Sequence, residues 1–139
     1  MKQAFHTLEV KTKGPGLYGF SDGARDFLCG SKIENGLLTC FVRHTSASLL
    51  IQENADPDAL HDLENFFRRL VSRDEKLYRH TTEGPDDMPS HIRAALTQTA
   101  LSIPVQNGEW VLGTWQGLYL YEHRDAPHRR EVALHLMGE

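Results

Sequence analysis

Three strand-like segments close the chain, and the short turns that join them constrain the fold more than any other feature. The segments are "ALSIPV" at residues 100–105, "WVLGTWQGLYLYEHR" at residues 110–124 and "EVALHLMG" at residues 131–138, and the turns are "QNGE" and "DAPHRR". Parallel neighbours need a crossover of about a dozen residues or more, so turns this short indicate antiparallel pairing. In the long middle segment a bend or bulge is predicted at Gly113 or Gly117.

Strand-like patterns also occur in three places in the first half of the chain. They cover "FHTLEVKT" at residues 5–12, "GLLTCFVRHT" at residues 36–45 and "SASLLIQEN" at residues 46–54. In the second of these strands, alternation places Leu38, Cys40, Val42 and His44 on one face.

Helical patterns interrupt the strands. "FSDGARDFLCGSKIENG" indicates a short helix with Ser21 or Asp22 as its N-cap and "ENG" as its end. Asp56 and Pro57 begin the clearest helix, as N-cap and first helical residue, and its predicted buried stripe is Leu60, Leu63, Phe67, Leu70 and Val71. "PSHIRAALTQ" indicates another helix. Together with the strands, these patterns predict a single α+β domain over residues 1–139, mostly antiparallel, with two or three helices.

Charge and composition exclude several classes of function. The net charge is −4 and the basic residues form no stripe or tail, which disfavours nucleic acid as a partner. No apolar run approaches the roughly 20 residues that span a bilayer, and the N-terminus lacks the apolar stretch of a secretory signal. We therefore expect a cytoplasmic protein that binds neither nucleic acid nor membrane.

Three of the eight histidines occupy positions from which a rigid scaffold can direct side chains into one pocket. His44 and His123 end strands, and His91 lies in the first turn of a helix. Neutral imidazole is a common ligand of zinc, and three protein ligands with one open position describe a catalytic zinc site. The long-range spacing carries no HExxH or CxxC signature, so the residues alone also leave open three unrelated, hydrogen-bonded histidines.

The segment "EGPDDMPSH" at residues 83–91 combines rigidity with titratable groups. Two adjacent carboxylates repel, so one of them is either exposed or held by a cation, a metal ion or backbone donors. Asp87 is placed to serve as an N-cap. The helix start that follows also suits a phosphate or carboxylate ligand, because its N–H groups are unpaired.

Polar residues near the predicted strand ends are candidates for ligand binding. Ser46 and Ser48 share a face with His44, and a Ser–His nucleophile pair is disfavoured because no GxSxG motif is present. Gln116 joins the face of His123 if Gly117 carries a bulge. Arg124 and the arginines that follow it could neutralise a phosphate.

The blocks "HTSASL", "ENAD", "GPDDMPSHI" and "LGTWQG", in this order, resemble those of the YjbQ family over almost the whole chain. The resemblance implies an α+β fold with a barrel-like or sandwich β core, and a homotrimer. It further implies a secondary thiamine-phosphate synthase, which joins an aminopyrimidine methyl diphosphate to a thiazole phosphate. By the same resemblance, the family's histidine cluster falls on His44, His91 and His123, with a divalent metal ion, zinc or magnesium, as the cofactor.

On this basis, residues are assigned to two further roles. His91, Asp87 and Glu122 are predicted to be catalytic, and Ser46, Asn54, Gln116 and Arg124 to bind a small phosphorylated metabolite. Two alternatives use the same pocket: a metal-dependent hydrolase of a small phosphate or ester, and a non-catalytic trimer that binds a small anion.

Overall fold

The computed structural model describes all 139 residues, which form eight strands, three α-helices and one short 3-10 helix. The strands are β1 Lys2–Thr12, β2 Gly16–Gly19, β3 Gly36–Val42, β4 Ala47–Glu53, β5 Ala100–Gln106, β6 Glu109–Trp110, β7 Gln116–Glu122 and β8 His128–Gly138. The helices are α1 Ser21–Ser31, α2 Pro57–Leu70 and α3 Asp87–Leu96, and the 3-10 helix covers Glu75–Leu77. None of the helices has both the length and the apolar composition needed to cross a membrane.

The strands form two sheets in which every pairing is antiparallel. The larger sheet has the order β1-β8-β3-β5-β6 and the smaller one the order β2-β7-β4. The sheets curl into a half-barrel within a single domain. The prediction of a mostly antiparallel, barrel-like α+β domain is therefore confirmed. The expected pairing across the "DAPHRR" turn is wrong, because β7 and β8 lie in different sheets.

The core lies between the sheets and α1. Alternate residues of β3, β5 and β8 point inward, as the period of two along a strand requires, and β4, β7 and α1 complete the cluster. Its members are Phe20, Ala24, Leu28, Ile33, Leu38, Cys40, Val42, Ala47, Leu49, Leu101, Ile103, Val105, Leu118, Leu120, Val132, Leu134 and Leu136.

The predicted long strand at residues 110–124 is wrong in its middle. Residues 111–115 leave the sheets, and β6 and β7 on either side belong to different sheets. No bulge occurs at Gly117, because β7 pairs with β4 residue for residue from Gln116 to Glu122. Gly117 instead permits close packing: a Cβ there would lie 3.0 Å from the Asn54 Cβ.

The helix predictions are confirmed in position and corrected in detail. Asp56 caps α2 by accepting from the Asp58 N–H, as predicted. Of its predicted buried stripe, Val71 is buried just after the helix end and Leu60, Leu63 and Phe67 are half-buried. Leu70 is 55% exposed, and the buried residue within the helix is Glu64. α1 begins after Phe20, because the Ser21 Oγ accepts from the Leu118 N–H of β7 instead of capping the helix. It ends before "ENG", at Lys32 in the left-handed region.

Candidate functional site

One arginine holds the loop at residues 83–91 against the end of β7. The Arg124 guanidinium donates to Asp86 Oδ2 at 2.9 Å, to Asp87 Oδ1 at 2.7 Å and to the Glu83 carbonyl at 3.1 Å. The Asp125 N–H adds a second donor to Asp86, at 2.9 Å. The two adjacent aspartates are therefore held together by a shared cation. Arg124, predicted to bind substrate, uses its guanidinium to position this loop.

Neither aspartate caps α3 through its side chain. The capping position is occupied by Asp86, whose carboxylate makes no capping hydrogen bond, and Asp87 is the first helical residue. The prediction that Asp87 is an N-cap is therefore wrong, because Arg124 draws its carboxylate away from the helix N–H groups. The carboxylate faces two imidazoles instead.

His80, Asp87 and His91 form the one group of potential metal ligands in the chain. Their ligand atoms all lie within 4.8 Å of one another. Asp87 Oδ2 lies 2.7 Å from His80 Nε2 and 3.1 Å from His91 Nε2. The carboxylate of Asp87 is buried, whereas the side chains of His80 and His91 are 48% and 30% exposed. The buried Asp87 carboxylate therefore anchors the cluster, and the two imidazoles leave it open to small solutes.

The hydrogen bonds of His91 fix its tautomer. Its Nδ1 lies 2.9 Å from the Thr45 carbonyl oxygen, which can only accept, so the proton is on Nδ1. Without a second ring proton, Nε2 carries a lone pair and faces Asp87 Oδ2, an acceptor. A cation must lie between these two atoms, and either a proton or a metal ion meets that requirement. A carbonyl that orients the far nitrogen is the usual support of a metal-binding histidine.

Electrostatics keep both aspartates ionised. Burial alone would raise the pKa of Asp87, but the hydrogen bond from His80 and the charges of His91 and Arg124 outweigh it and hold the pKa below its usual value. Burial is likewise opposed at Asp86 by the Asp125 N–H and Arg124, and the pKa of that carboxyl is also lowered.

A cleft of about 350 Å³ lies beside the cluster. It is lined by residues from α2, from the loop that follows it, from α3 and from the end of β7: Pro15, Arg68, Arg73, Asp86, Pro89, Arg93, His123 and Asp125. Asp86 lines this cleft and Asp87 belongs to the metal-ligand cluster, so two adjacent residues connect the two features. Three arginines in one small concavity suit an anionic ligand.

The three histidines predicted to share a metal ion have separate partners within the chain. His44 Nε2 accepts from the Glu131 N–H at 2.8 Å. His123 is 2% exposed, and its Nε2 lies 2.9 Å from Ser48 Oγ. Burial lowers the pKa of His123 to about 3, so its ring is neutral. His91 pairs with His80 and Asp87 instead, so the three imidazoles form no common ligand group in a single chain.

Glu122 and Ser46 belong to a buried ionic network. The Glu122 carboxylate has no exposed surface and accepts from Thr12 Oγ1 at 2.6 Å, Arg130 Nε at 2.8 Å and two backbone N–H groups. Arg130 also donates to Ser46 Oγ at 3.0 Å. Burial alone would raise the pKa of Glu122, but these donors lower it below its usual value. Glu122 has no reach to solvent and serves to hold the end of β7, so its catalytic prediction has no support in this position. Ser46 is 8% exposed and contributes to the same network through Arg130.

Asn54 and Gln116 lie at the opposite end of β7. Asn54 Nδ2 donates to the Thr114 carbonyl at 3.2 Å, and Gln116 Oε1 accepts from the Gly113 N–H at 2.8 Å. At about 3.4 Å per residue, the six steps from Gln116 to Glu122 amount to roughly 20 Å. The two side chains predicted to bind substrate therefore stabilise the segment that connects β6 to β7.

Sequence reasoning missed His80 and the cleft arginines as site residues. His80 lies in an irregular segment outside every predicted element, where no periodicity assigns a direction to its side chain. Arg93 follows His91 by two positions on α3 and is 5% exposed. A signal was available for Arg93, because a charged residue on the inner side of a short helix must meet a partner.

The fold and the site define a small α+β protein with a His–Asp cluster beside an arginine-lined cleft. The chain belongs to the YjbQ/UPF0047 family: the family model described as "UPF0047 protein YjbQ-like" matches residues 6–139. A UPF0047 protein of Synechocystis is 54% identical over 138 residues, covering 99% of this chain and 94% of that protein. UPF0047 protein YjbQ of Escherichia coli O157:H7 is 42% identical over 134 residues, covering 96% of each chain.

A solved structure supports the same relationship. The crystal structure of an uncharacterized conserved protein of the YjbQ/UPF0047 family from Clostridium acetobutylicum superposes with a TM-score of 0.87 at 29% sequence identity. The match covers 95% of this chain and 99% of that one. The resemblance inferred from the motif blocks is therefore confirmed at the level of family and fold.

Proposed function

We propose that this protein is a metal-dependent enzyme that acts on a small phosphorylated metabolite, with His80, Asp87 and His91 as the metal ligands. The observation that carries the proposal is the facing pair of acceptors, His91 Nε2 and Asp87 Oδ2, 3.1 Å apart. With the His91 Nδ1 proton held by the Thr45 carbonyl, a divalent ion bound to both acceptors takes the place of a second ring proton. His80 supplies the third ligand atom.

The donor set favours zinc over magnesium. Magnesium prefers oxygen ligands in an octahedron, whereas two imidazoles and a carboxylate form a common catalytic zinc site with one open position. When bound, such an ion supplies Lewis acidity toward a phosphate or activates a water molecule. Arg124 would hold the Asp87 ligand in place, and the 48% exposure of the His80 side chain leaves access for a substrate.

The reaction to test first is thiamine-phosphate synthesis, which the family resemblance implies. The C–O bond of the pyrimidylmethyl diphosphate breaks, pyrophosphate leaves with the bonding electrons, and the thiazole nitrogen forms the new C–N bond. Cationic groups favour this step because they stabilise the charge that develops on the leaving group. Arg68, Arg73 and Arg93 line the neighbouring cleft and would serve that purpose.

One observation favours hydrolysis as a second candidate. The exposed edges of His80 and His91 admit water to the metal position, whereas a pyrimidylmethyl cation requires a pocket from which water is excluded. A phosphate monoester or a small ester would then be the substrate, with a water molecule as the nucleophile.

We further propose that the protein is a cytoplasmic homotrimer. Several large apolar side chains are exposed on the single chain, among them Phe5 at 72%, Leu77 at 65%, Trp115 at 64% and Leu70 at 55%. Large apolar residues left outside a core often cover an interface between identical subunits. Both cysteines are free thiols, which suits a reducing compartment. Light scattering at micromolar concentration tests the trimer, and a monomer would contradict it.

The proposed function is tested with the metal and the substrate separately. Protein purified without metal-affinity resin is analysed for bound metal and assayed for thiamine phosphate, and against a phosphatase and esterase panel, with and without chelator. We expect about one zinc ion per chain, and chelator-sensitive turnover in one of the two assays. His91→Ala should abolish both metal binding and turnover at unchanged fold.

The matched control is His61→Ala, an exposed histidine on α2 whose side chain is 70% accessible. This variant should retain full metal content and activity. Full activity in His91→Ala, or turnover that is indifferent to chelator, would remove the metal-dependent mechanism. Stoichiometric binding of a small anion without any turnover would support the non-catalytic trimer instead.

A further inference from the structure

Two buried polar atoms of the arginine-lined cleft have no hydrogen-bond partner. They are Arg93 Nε and His123 Nδ1. Every other buried side-chain nitrogen or oxygen atom in the chain has a hydrogen-bond partner. Arg93 and His123 are 5% and 2% exposed, and both line the same cleft of about 350 Å³. Native proteins pair nearly all of their buried polar groups, so two unpaired atoms at one concavity favour a polar ligand there.

Arg93 is the cation in the cleft whose charge is least neutralised. Arg73 makes a bidentate pair with Asp125 at 2.7 and 3.2 Å, and Arg68 Nε donates to Glu64 at 3.0 Å. The carboxylate in contact with Arg93 is also that of Glu64, 3.8 Å from Arg93 Nη1, which is too far for a hydrogen bond. Glu64 also accepts a hydrogen bond from the Tyr121 hydroxyl, so it already has two closer donors.

One of the two tautomers of His123 provides a free N–H donor beside the cleft. Thr97 Oγ1 lies 2.6 Å from Ser48 Oγ, which lies 2.9 Å from His123 Nε2. Thr97 Oγ1 also lies 2.8 Å from the Arg93 carbonyl oxygen, which competes for the same hydroxyl proton. The ring proton resides on Nδ1, the atom without a partner, in the arrangement in which Thr97 donates to Ser48 and Ser48 donates to His123 Nε2. An anion in the cleft selects this tautomer, because it provides the acceptor that Nδ1–H lacks.

We propose that this cleft binds the phosphate group of the substrate, with Arg93 and His123 as direct ligands and Arg68 and Arg73 as supporting charges. The inference deepens the proposed function and rests on it for the assumption that a substrate is turned over nearby. The donors come from α2, α3 and the end of β7, which suits a tetrahedral oxyanion better than a planar carboxylate. Asp86 lines the same cleft, and its neighbour Asp87 is a proposed metal ligand, so a phosphate here would lie beside the proposed metal position.

Inorganic phosphate serves as the probe. Titration calorimetry on chelator-treated protein, in a phosphate-free buffer, should find one phosphate per chain. Arg93→Met should raise the Kd at least about tenfold, since a hydrogen bond to a charged group is lost. The control Arg69→Met removes an exposed arginine of the same helix α2 that carries Arg68, and it should leave the Kd unchanged. Acetate should bind more weakly than phosphate.

A measurement on the wild-type protein keeps the inference testable if Arg93→Met does not fold. The ring ¹⁵N resonances of His123 should show the Nδ1–H tautomer, with Nδ1 shifted on addition of phosphate. No phosphate binding up to about 10 mM, unchanged affinity in Arg93→Met, or acetate binding as tight as phosphate binding would each overturn the assignment.

The outcomes for the two proposals are separable. His91→Ala should lose the metal ion and turnover but keep phosphate binding, whereas Arg93→Met should keep the metal ion. Phosphate binding without any metal binding would leave this inference standing and remove the metal-dependent function. Metal-dependent turnover without phosphate binding to the cleft would remove this inference and leave the metal-dependent function standing.

Discussion

The buried pair of Glu122 and Arg130 allows the sharpest quantitative prediction. Glu122→Gln keeps the shape of the side chain but removes its charge, which leaves the Arg130 guanidinium, 5% exposed, without a counter-ion. Removing one partner of a buried ion pair destabilises a protein by about 3–5 kcal/mol. For a chain of this size each kcal/mol lowers Tm by roughly 3–4 °C, so we expect a decrease in Tm of about 10–20 °C.

The assay is urea unfolding followed by circular dichroism, at one fixed protein concentration so that any oligomer contributes equally. The control is Glu131→Gln, which removes a 47%-exposed carboxylate paired with Arg43 and should change the free energy of unfolding by less than about 1 kcal/mol. A loss within about 1 kcal/mol for Glu122→Gln would refute the view that this pair holds the end of β7.

The difference in stability between the wild type and Glu122→Gln should depend on pH in a definite direction. The pKa of Glu122 is lower in the folded protein than in the unfolded chain, so its ionisation stabilises the fold above the unfolded value of about 4.3. This stabilisation is lost as the pH falls through the folded pKa. The difference in stability between the wild type and Glu122→Gln should therefore narrow below about pH 4, and a constant difference would contradict the linkage.

Three further predictions concern the scaffold. Asp56→Ala removes the cap of α2 and should lower the free energy of unfolding by about 1 kcal/mol, measured in urea. Gly36→Ala places a Cβ 2.1 Å from a backbone carbonyl oxygen of β8 and should destabilise by about 3 kcal/mol or more, whereas Gly30→Ala, with nothing within 4 Å, should be neutral or stabilising. The Lys side chain of Arg124→Lys lacks the planar guanidinium that binds both aspartates. Amide hydrogen exchange of the loop that Arg124 holds should therefore accelerate at nearly unchanged Tm. Unchanged exchange would mean that these hydrogen bonds are dispensable.

Local signals were sufficient to predict most elements of the fold. The alternation in "GLLTCFV" and the Asp56–Pro57 start of α2 are short-range patterns, and both are confirmed. The break at residues 111–115 was missed because apolar residues such as Val111 and Trp115 continue a strand-like pattern while 52% and 64% exposed. Periodicity identifies apolar residues but does not say whether the partner surface belongs to the same chain.

The candidate site could be predicted only in part. The segment at residues 83–91 was identified correctly as part of the charged cluster, because its two aspartates are both bound by Arg124. Asp87, the helical neighbour of His91, was also placed in the site. His80 was not, because it reaches Asp87 from an irregular segment that no pattern describes. His123 was expected at a metal but is buried among Ser48 and Tyr121. The direction of a side chain at the end of a strand depends on tertiary packing.

The shared guanidinium of Arg124 has a thermodynamic consequence for the two neighbouring sites. Asp86 borders the cleft and Asp87 belongs to the cluster, and one side chain binds both carboxylates. A solute that draws Asp86 away from Arg124 changes the electrostatic potential at Asp87. In the same way, an ion at Asp87 changes how strongly Arg124 binds Asp86. Occupancy of either position must then change the affinity at the other by the same factor, because linkage between two equilibria is reciprocal.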